Sequence, residues 1–143
     1  MHRFASVILV DRRGWILLQE RDEHPVIDPE KWGFSGGHVE DGEEFLAAAY
    51  RELAEETGVK LDDGLTLWRE VEVFHAAYDS MDRVQVFAAA TTLTDDDLVC
   101  NEGRRICFVD PAVVPTLDLT TAGALALPDF LASSLYRDLK EQP

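Results

Sequence analysis

The chain has 143 residues, 46% of them hydrophobic, and a formal net charge of −15 at pH 7. That length suits a single domain, 1–143, with a core of its own, and the charge opposes nonspecific contact with nucleic acid or an anionic membrane. Two cysteines, Cys100 and Cys107, are too few for a disulfide scaffold and fit a reducing, cytoplasmic compartment with both thiols packed as small hydrophobes, and no stretch approaches the roughly 20 apolar residues of a spanning helix.

In chain order, Phe4 to Val10 (FASVILV) is a nearly continuous apolar run, as expected of a strand covered on both faces. Asp11 to Gly14 reads as a turn, and Trp15 to Gln19 as the returning strand of a hairpin. Glu20 to Lys31 is polar, with Pro25 and Pro29, and predicts an exposed loop. Trp32 to Gly37 (WGFSGG) is a short strand running into two glycines. Gly36 and Gly37 allow close backbone approach, so a carbonyl there could meet a metal or an amide a phosphate; a plain turn is the competing reading.

Gly37 to Val59 (GHVEDGEEFLAAAYRELAEETGV) organises the rest. Alanine, leucine, glutamate and arginine predict a helix over about 43–57, with acidic Glu43 and Glu44 in its first turn and Gly58 as a left-handed stop. Phe45, Leu46, Ala49, Tyr50 and Leu53 form one apolar arc at roughly 100° per residue. Glu52 and Glu56 lie one turn apart with Glu55 beside them, and Glu56 falls within the edge of that arc. Three carboxylates so placed either form a solvated face or share a cation, and a hard divalent ion such as Mg²⁺ would remove their mutual repulsion.

Beyond the helix, Leu61 to Gly64 is a turn, and Leu65 to Ala77 is a strand whose Val71, Val73 and His75 oppose Glu70, Glu72 and Phe74. Tyr78 to Arg83 is read as the connection to a strand at Val84 to Leu93, and Asp95 to Asp97 as a solvated turn. A last strand at Ile106 to Val109 ends at Asp110-Pro111. Helices are expected at 111–114 and, amphipathically, at 129–139, with Pro115 and Pro128 bracketing irregular or helical segments. Residues alone give an α/β or α+β fold with a mixed sheet and helices on both faces.

The spacing Gly37-x5-Glu43-x7-Arg51-Glu52-Leu53-x-Glu55-Glu56-x-Gly58-Val59 resembles the Nudix hydrolase signature at every defined position. The resemblance implies an α/β/α sandwich around a central mixed sheet. It also implies metal-dependent hydrolysis of a diphosphate linkage in a nucleoside diphosphate derivative, by water attack at phosphorus. A noncatalytic nucleotide-sensing module on the same fold is the alternative. By this resemblance Glu52 and Glu56 are direct ligands of Mg²⁺ or Mn²⁺, the Gly36 carbonyl is a candidate to complete the sphere, and Glu55 is a ligand or the base. Arg51 orients a neighbouring glutamate, Glu43 holds the loop against the helix, and Gly37 and Gly58 are structural.

Glu102, in Asn101-Glu102-Gly103, is the candidate base or additional ligand facing the metals from the opposite side, against an ordinary loop carboxylate. Arg104 and Arg105 could touch substrate phosphate, and Trp32, Phe34, His38, Phe74 or Tyr78 could stack on a base; an exposed basic pair and core packing are the competing readings. The resemblance also implies a small nucleotide as partner, neither nucleic acid nor membrane, and allows a homodimer. The loop from Arg21 to Trp32 followed by GFSGGHVEDGE looks like members acting on nucleoside triphosphates or sugar nucleotides.

Overall fold

Strand β1 (Arg3–Val10) is the axis of the computed structural model, which describes residues 1–142. Its residues Ala5 and Val7 to Val10 are fully covered, so alternate side chains enter two cores. Ala5, Val7 and Leu9 pack with Ala48, Ala49 and Leu53 of α1 (Phe45–Thr57). Ile8 and Val10 pack with Ala126, Leu127 and Phe130 of α2 (Thr121–Leu131) and with Tyr136 and Leu139 of α3 (Ser134–Lys140). Each fully buried aliphatic or aromatic side chain contributes roughly 1.5–3 kcal/mol. The result is the α/β/α sandwich expected.

The remaining strands are β2 (Ile16–Glu20), β3 (Trp32–Gly33), β4 (Ser35–His38), β5 (Thr66–His75), β6 (Ser80–Ala90) and β7 (Arg105–Val109). Together with β1 they make a seven-stranded mixed sheet in the path β3-β2-β1-β6-β5, with β4 paired to β1 and β7 to β2. Only the β1–β6 pair is parallel among the described residues. The β1–β4 register, Phe4↔His38 to Val7↔Ser35, lays the glycines of β4 between β1 and α1. That placement builds the site.

Several expectations are corrected. The connection expected at 78–83 is short: β6 starts at Ser80, because Asp82 is fully buried and hydrogen-bonded within an extended strand. No helix forms at 111–114; a single 3₁₀ turn occupies Val114–Thr116. The helix expected at 129–139 is two helices. Pro128 lies inside α2, which starts where the Thr120 hydroxyl accepts a bond from the Gly123 amide, and the Ser133 hydroxyl starts α3 by accepting from the Tyr136 amide. Asp95 to Asp97 form a 3₁₀ turn, and Asp95 anchors β7 by accepting from the Phe108 amide at 2.8 Å. Cys107 is half-buried, but Cys100 is exposed rather than packed.

Candidate functional site

The last two turns of α1 carry the acidic cluster, and each carboxylate has a different environment. Glu56 is buried, at 3% exposure, beneath β4. Its Oε1 accepts the Gly36 amide at 2.6 Å and the Ser35 hydroxyl at 3.2 Å. Burial raises its pKa to about 8; the Gly36 amide opposes that rise and the charges of Glu52 and Glu102 add to it. Glu56 Oε2 has no hydrogen-bond partner among the described residues and is not sealed from the adjoining cavity.

Glu52 packs against the backbone of β4. A Cβ at Gly37 would stand 2.7 Å from its carboxylate, so the absence of a side chain at 37 is what admits the acid. Burial raises the Glu52 pKa, and the Arg51 guanidinium, donating at 2.9 Å, opposes the shift. Arg51 also donates to both oxygens of Glu43, at 2.8 and 2.9 Å, to the His38 carbonyl at 3.0 Å and to Glu55 at 3.3 Å. Glu43 in turn accepts the Glu40 amide, and the Arg51 fork holds its carboxyl at about 2. Arg51 and Glu43 thus fasten the 38–44 loop to α1. Gly58, at φ 75°, caps the helix by donating to the Ala54 carbonyl.

The carbonyls at the end of a helix need outside donors. Here the 99–101 segment supplies them: the Val99 amide donates to Thr57, the Asn101 amide to Glu56 and the Asn101 side chain to Glu55. Gln19 holds the following turn by donating to the Glu102 carbonyl at 2.8 Å. Glu102 is thereby carried to the same cavity as Glu52 and Glu56. The cavity measures about 620 Å³, and Arg21 is the one lysine or arginine among its described lining residues. Arg21 Nε is buried without a partner, while its Nη1 donates to the Ile27 carbonyl.

The family profile for the NUDIX domain matches residues 1–130, the whole of the sheet and α1 included. The chain belongs to the Nudix family. It is 38% identical over 74 residues to the m7GpppN-mRNA hydrolase NUDT17 of Bos taurus, covering 52% of this chain and 24% of that protein. It is 42% identical over 121 residues to the isopentenyl-diphosphate Delta-isomerase of Nocardia farcinica, covering 84% of this chain and 55% of that protein. The chain therefore spans about a quarter of the length of NUDT17 and about half that of the isomerase. The MutT NUDIX hydrolase from Burkholderia pseudomallei superposes with a TM-score of 0.72 at 26% identity, over 89% of this chain and 95% of that one.

Within this Nudix domain the residues singled out by sequence divide into two groups. Gly36, Gly37, Glu52, Glu56, Glu102 and Tyr78 all line the cavity. Glu55, Phe74 and Arg104 do not. The Glu55 side chain is 59% exposed and rests on Arg51. Phe74 is half exposed on the face of β5 opposite His75, and Arg104 is engaged by Glu23 at 3.0 Å and Glu30 at 2.9 Å, so neither lines the cavity. Sequence reasoning missed Ser35, Arg21, His75 and Asp82 as members of this region. His75 could have been found, since strand alternation already put it on the covered face. No local pattern marks the others. No helix of the described residues is long and apolar enough to cross a membrane.

Proposed function

We propose that the chain hydrolyses a diphosphate linkage in a nucleoside diphosphate derivative, a nucleoside triphosphate or sugar nucleotide, with the aid of Mg²⁺ or Mn²⁺. The observation that carries this reading is Glu56: a buried carboxylate facing a cavity that Glu52 and Glu102 also line. Among the described residues no three acidic, histidine or cysteine side chains already stand in a metal-binding group. The donor chemistry nevertheless fits a hard cation, because Glu52, Glu56 and Glu102 offer carboxylate oxygens to one cavity, Glu56 Oε2 is unpartnered, and burial of an uncompensated acid is costly. Glu52, Glu56 and the Gly36 carbonyl would hold the ion, with Glu102 facing them. Such an ion would neutralise phosphate charge and lower the pKa of bound water.

The chain's own groups do the remaining work. Ser35 and the Gly36 amide fix Glu56 through Oε1, leaving Oε2 toward the cavity. Arg51 holds Glu52, and Glu55 acts through Arg51. Arg21 offers guanidinium N–H groups to a phosphate oxygen. Glu102, the more exposed acid, receives the proton of the attacking water. The net charge of −15 favours a mononucleotide over an extended RNA, whose outer phosphates would be repelled.

The likeness to the isopentenyl-diphosphate isomerase favours a second reading, in which the same carboxylates hold a diphosphate that is not cleaved. One panel separates the readings: nucleoside triphosphates, sugar nucleotides, dinucleoside polyphosphates, 5′-triphosphate and capped RNA, and isopentenyl diphosphate, each with Mg²⁺ or Mn²⁺. Phosphate or pyrophosphate release from a nucleotide, abolished by chelation, is the expected result. Rearrangement of isopentenyl diphosphate without phosphate release would support the isomerase reading. No turnover of any compound with either metal would leave the nucleotide-sensing module.

A further inference from the structure

Beyond the carboxylates, the cavity wall contains a buried pair that hydrolysis does not use. His75, 5% exposed, places Nδ1 2.7 Å from Oδ2 of Asp82, which is fully buried. Asp82 Oδ1 also accepts the His2 amide at 2.8 Å and the Ser80 hydroxyl at 2.6 Å. Burial by itself would raise the Asp82 carboxyl, but the bonds from Ser80, His2 and His75 outweigh it and hold the group at about 2. An ionised carboxylate only accepts, so Nδ1 of His75 carries the hydrogen. On a neutral ring Nε2 is then a fixed acceptor. It has no hydrogen-bond partner among the described residues, it is not sealed off, and His75 lines the cavity.

Four aromatic rings share this end of the cavity. Phe4 lies edge-on to His75, with centroids 5.3 Å apart, and against His38 at 4.4 Å. Tyr78 lines the same wall, with one face covered by His2 at 4.0 Å. His38 stands one residue beyond Gly37 on β4, so the aromatic wall adjoins the phosphate end. Anchoring the His2 amide needs only Asp82; it does not require an oriented imidazole with its second nitrogen toward an open space.

We propose that His75, oriented by Asp82, is the specificity-determining acceptor of a nucleobase subsite, in which Phe4, His38 and Tyr78 flank the ring of the base. The ligand is a planar heterocycle with an amino or imino N–H, attached to the phosphates held at the carboxylate end. This rests on the nucleotide reading above and adds the group that selects the base. An isoprenoid chain has no hydrogen-bond donor for Nε2 and would leave it buried without a partner.

The test is calorimetric binding, with Mg²⁺ present, of the α,β-methylene analogues of ATP, GTP, CTP and UTP and of inorganic tripolyphosphate, to the wild-type chain and to His75→Phe. At least one nucleoside analogue is expected to bind tenfold or more tightly than tripolyphosphate. His75→Phe is expected to remove roughly tenfold of that preference while the tripolyphosphate Kd stays within about twofold. That split distinguishes recognition from a general structural loss, and His75→Leu, which also lacks an acceptor, serves if the phenylalanine variant does not fold. Equal wild-type affinity for tripolyphosphate and all four analogues, or an undiminished preference in the folded variant, would overturn the subsite. Base-selective binding without turnover would overturn hydrolysis alone; turnover without base preference would overturn the subsite alone.

Discussion

Replacing Glu56 with glutamine is expected to lower kcat by about a thousandfold or more while leaving the fold intact. Glutamine matches the shape of the protonated acid, and its amide oxygen can still accept the Gly36 N–H and the Ser35 hydroxyl. What it lacks is the charge that a cation would meet. The same variant has a second signature without metal. The folded pKa of Glu56, about 8, lies above the ordinary value of 4.5, so folding favours the protonated form. That contribution is complete below about pH 4.5 and is lost as pH rises through 8. Denaturant melts of the metal-free wild type should therefore weaken across that window, and Glu56→Gln should flatten the local trend. Near-normal kcat in Glu56→Gln would remove the ligand assignment.

Gly36→Ala is expected to destabilise the protein by at least about 3 kcal/mol, enough to leave much of the chain unfolded if its stability is ordinary. Gly36 has φ 151°, and an added Cβ would lie 2.2 Å from the Ala5 carbonyl oxygen and 2.8 Å from Ser6 Cα. Those are backbone atoms of the central strand, which cannot swing aside as the end of a side chain can. At Gly37 the atoms nearest an added Cβ are those of the Glu52 carboxylate, so the two neighbouring glycines serve different ends: one the sheet, the other the acid. Thermal melts of both alanine variants measure the contrast. A Gly36→Ala protein as stable as the wild type would contradict the packing described for β4.

Much of this site was legible locally. The helical arc placed Glu56 among apolar directions, and the structure buries it; the alternation of 70–75 put Val73 and His75 inside and Glu70, Glu72 and Phe74 outside. The same alternation should have argued against Phe74 as a stacking residue. What sequence could not show is partnership across long separations. Arg104 is bound by carboxylates 74 and 81 positions away, which turns a candidate phosphate ligand into a tether for the 21–31 loop. Asp82 looked like turn material because a buried aspartate in a strand is tolerable only with its three donors, one of them at the chain's start. Pro128 read as a boundary, yet α2 runs through it because the helix is set by its Thr120 cap and its packing through Leu127 and Phe130.

Titration of the metal-free protein with Mn²⁺ near pH 7, followed by calorimetry in buffers of different ionisation enthalpy, addresses the acidic cluster most directly. Wild-type protein should take up the ion and release close to one proton, since Glu56 must ionise to bind it, and Glu56→Gln should lose both the uptake and the release. Absence of Mn²⁺ uptake, or uptake with no proton release that persists unchanged in Glu56→Gln, would contradict the account.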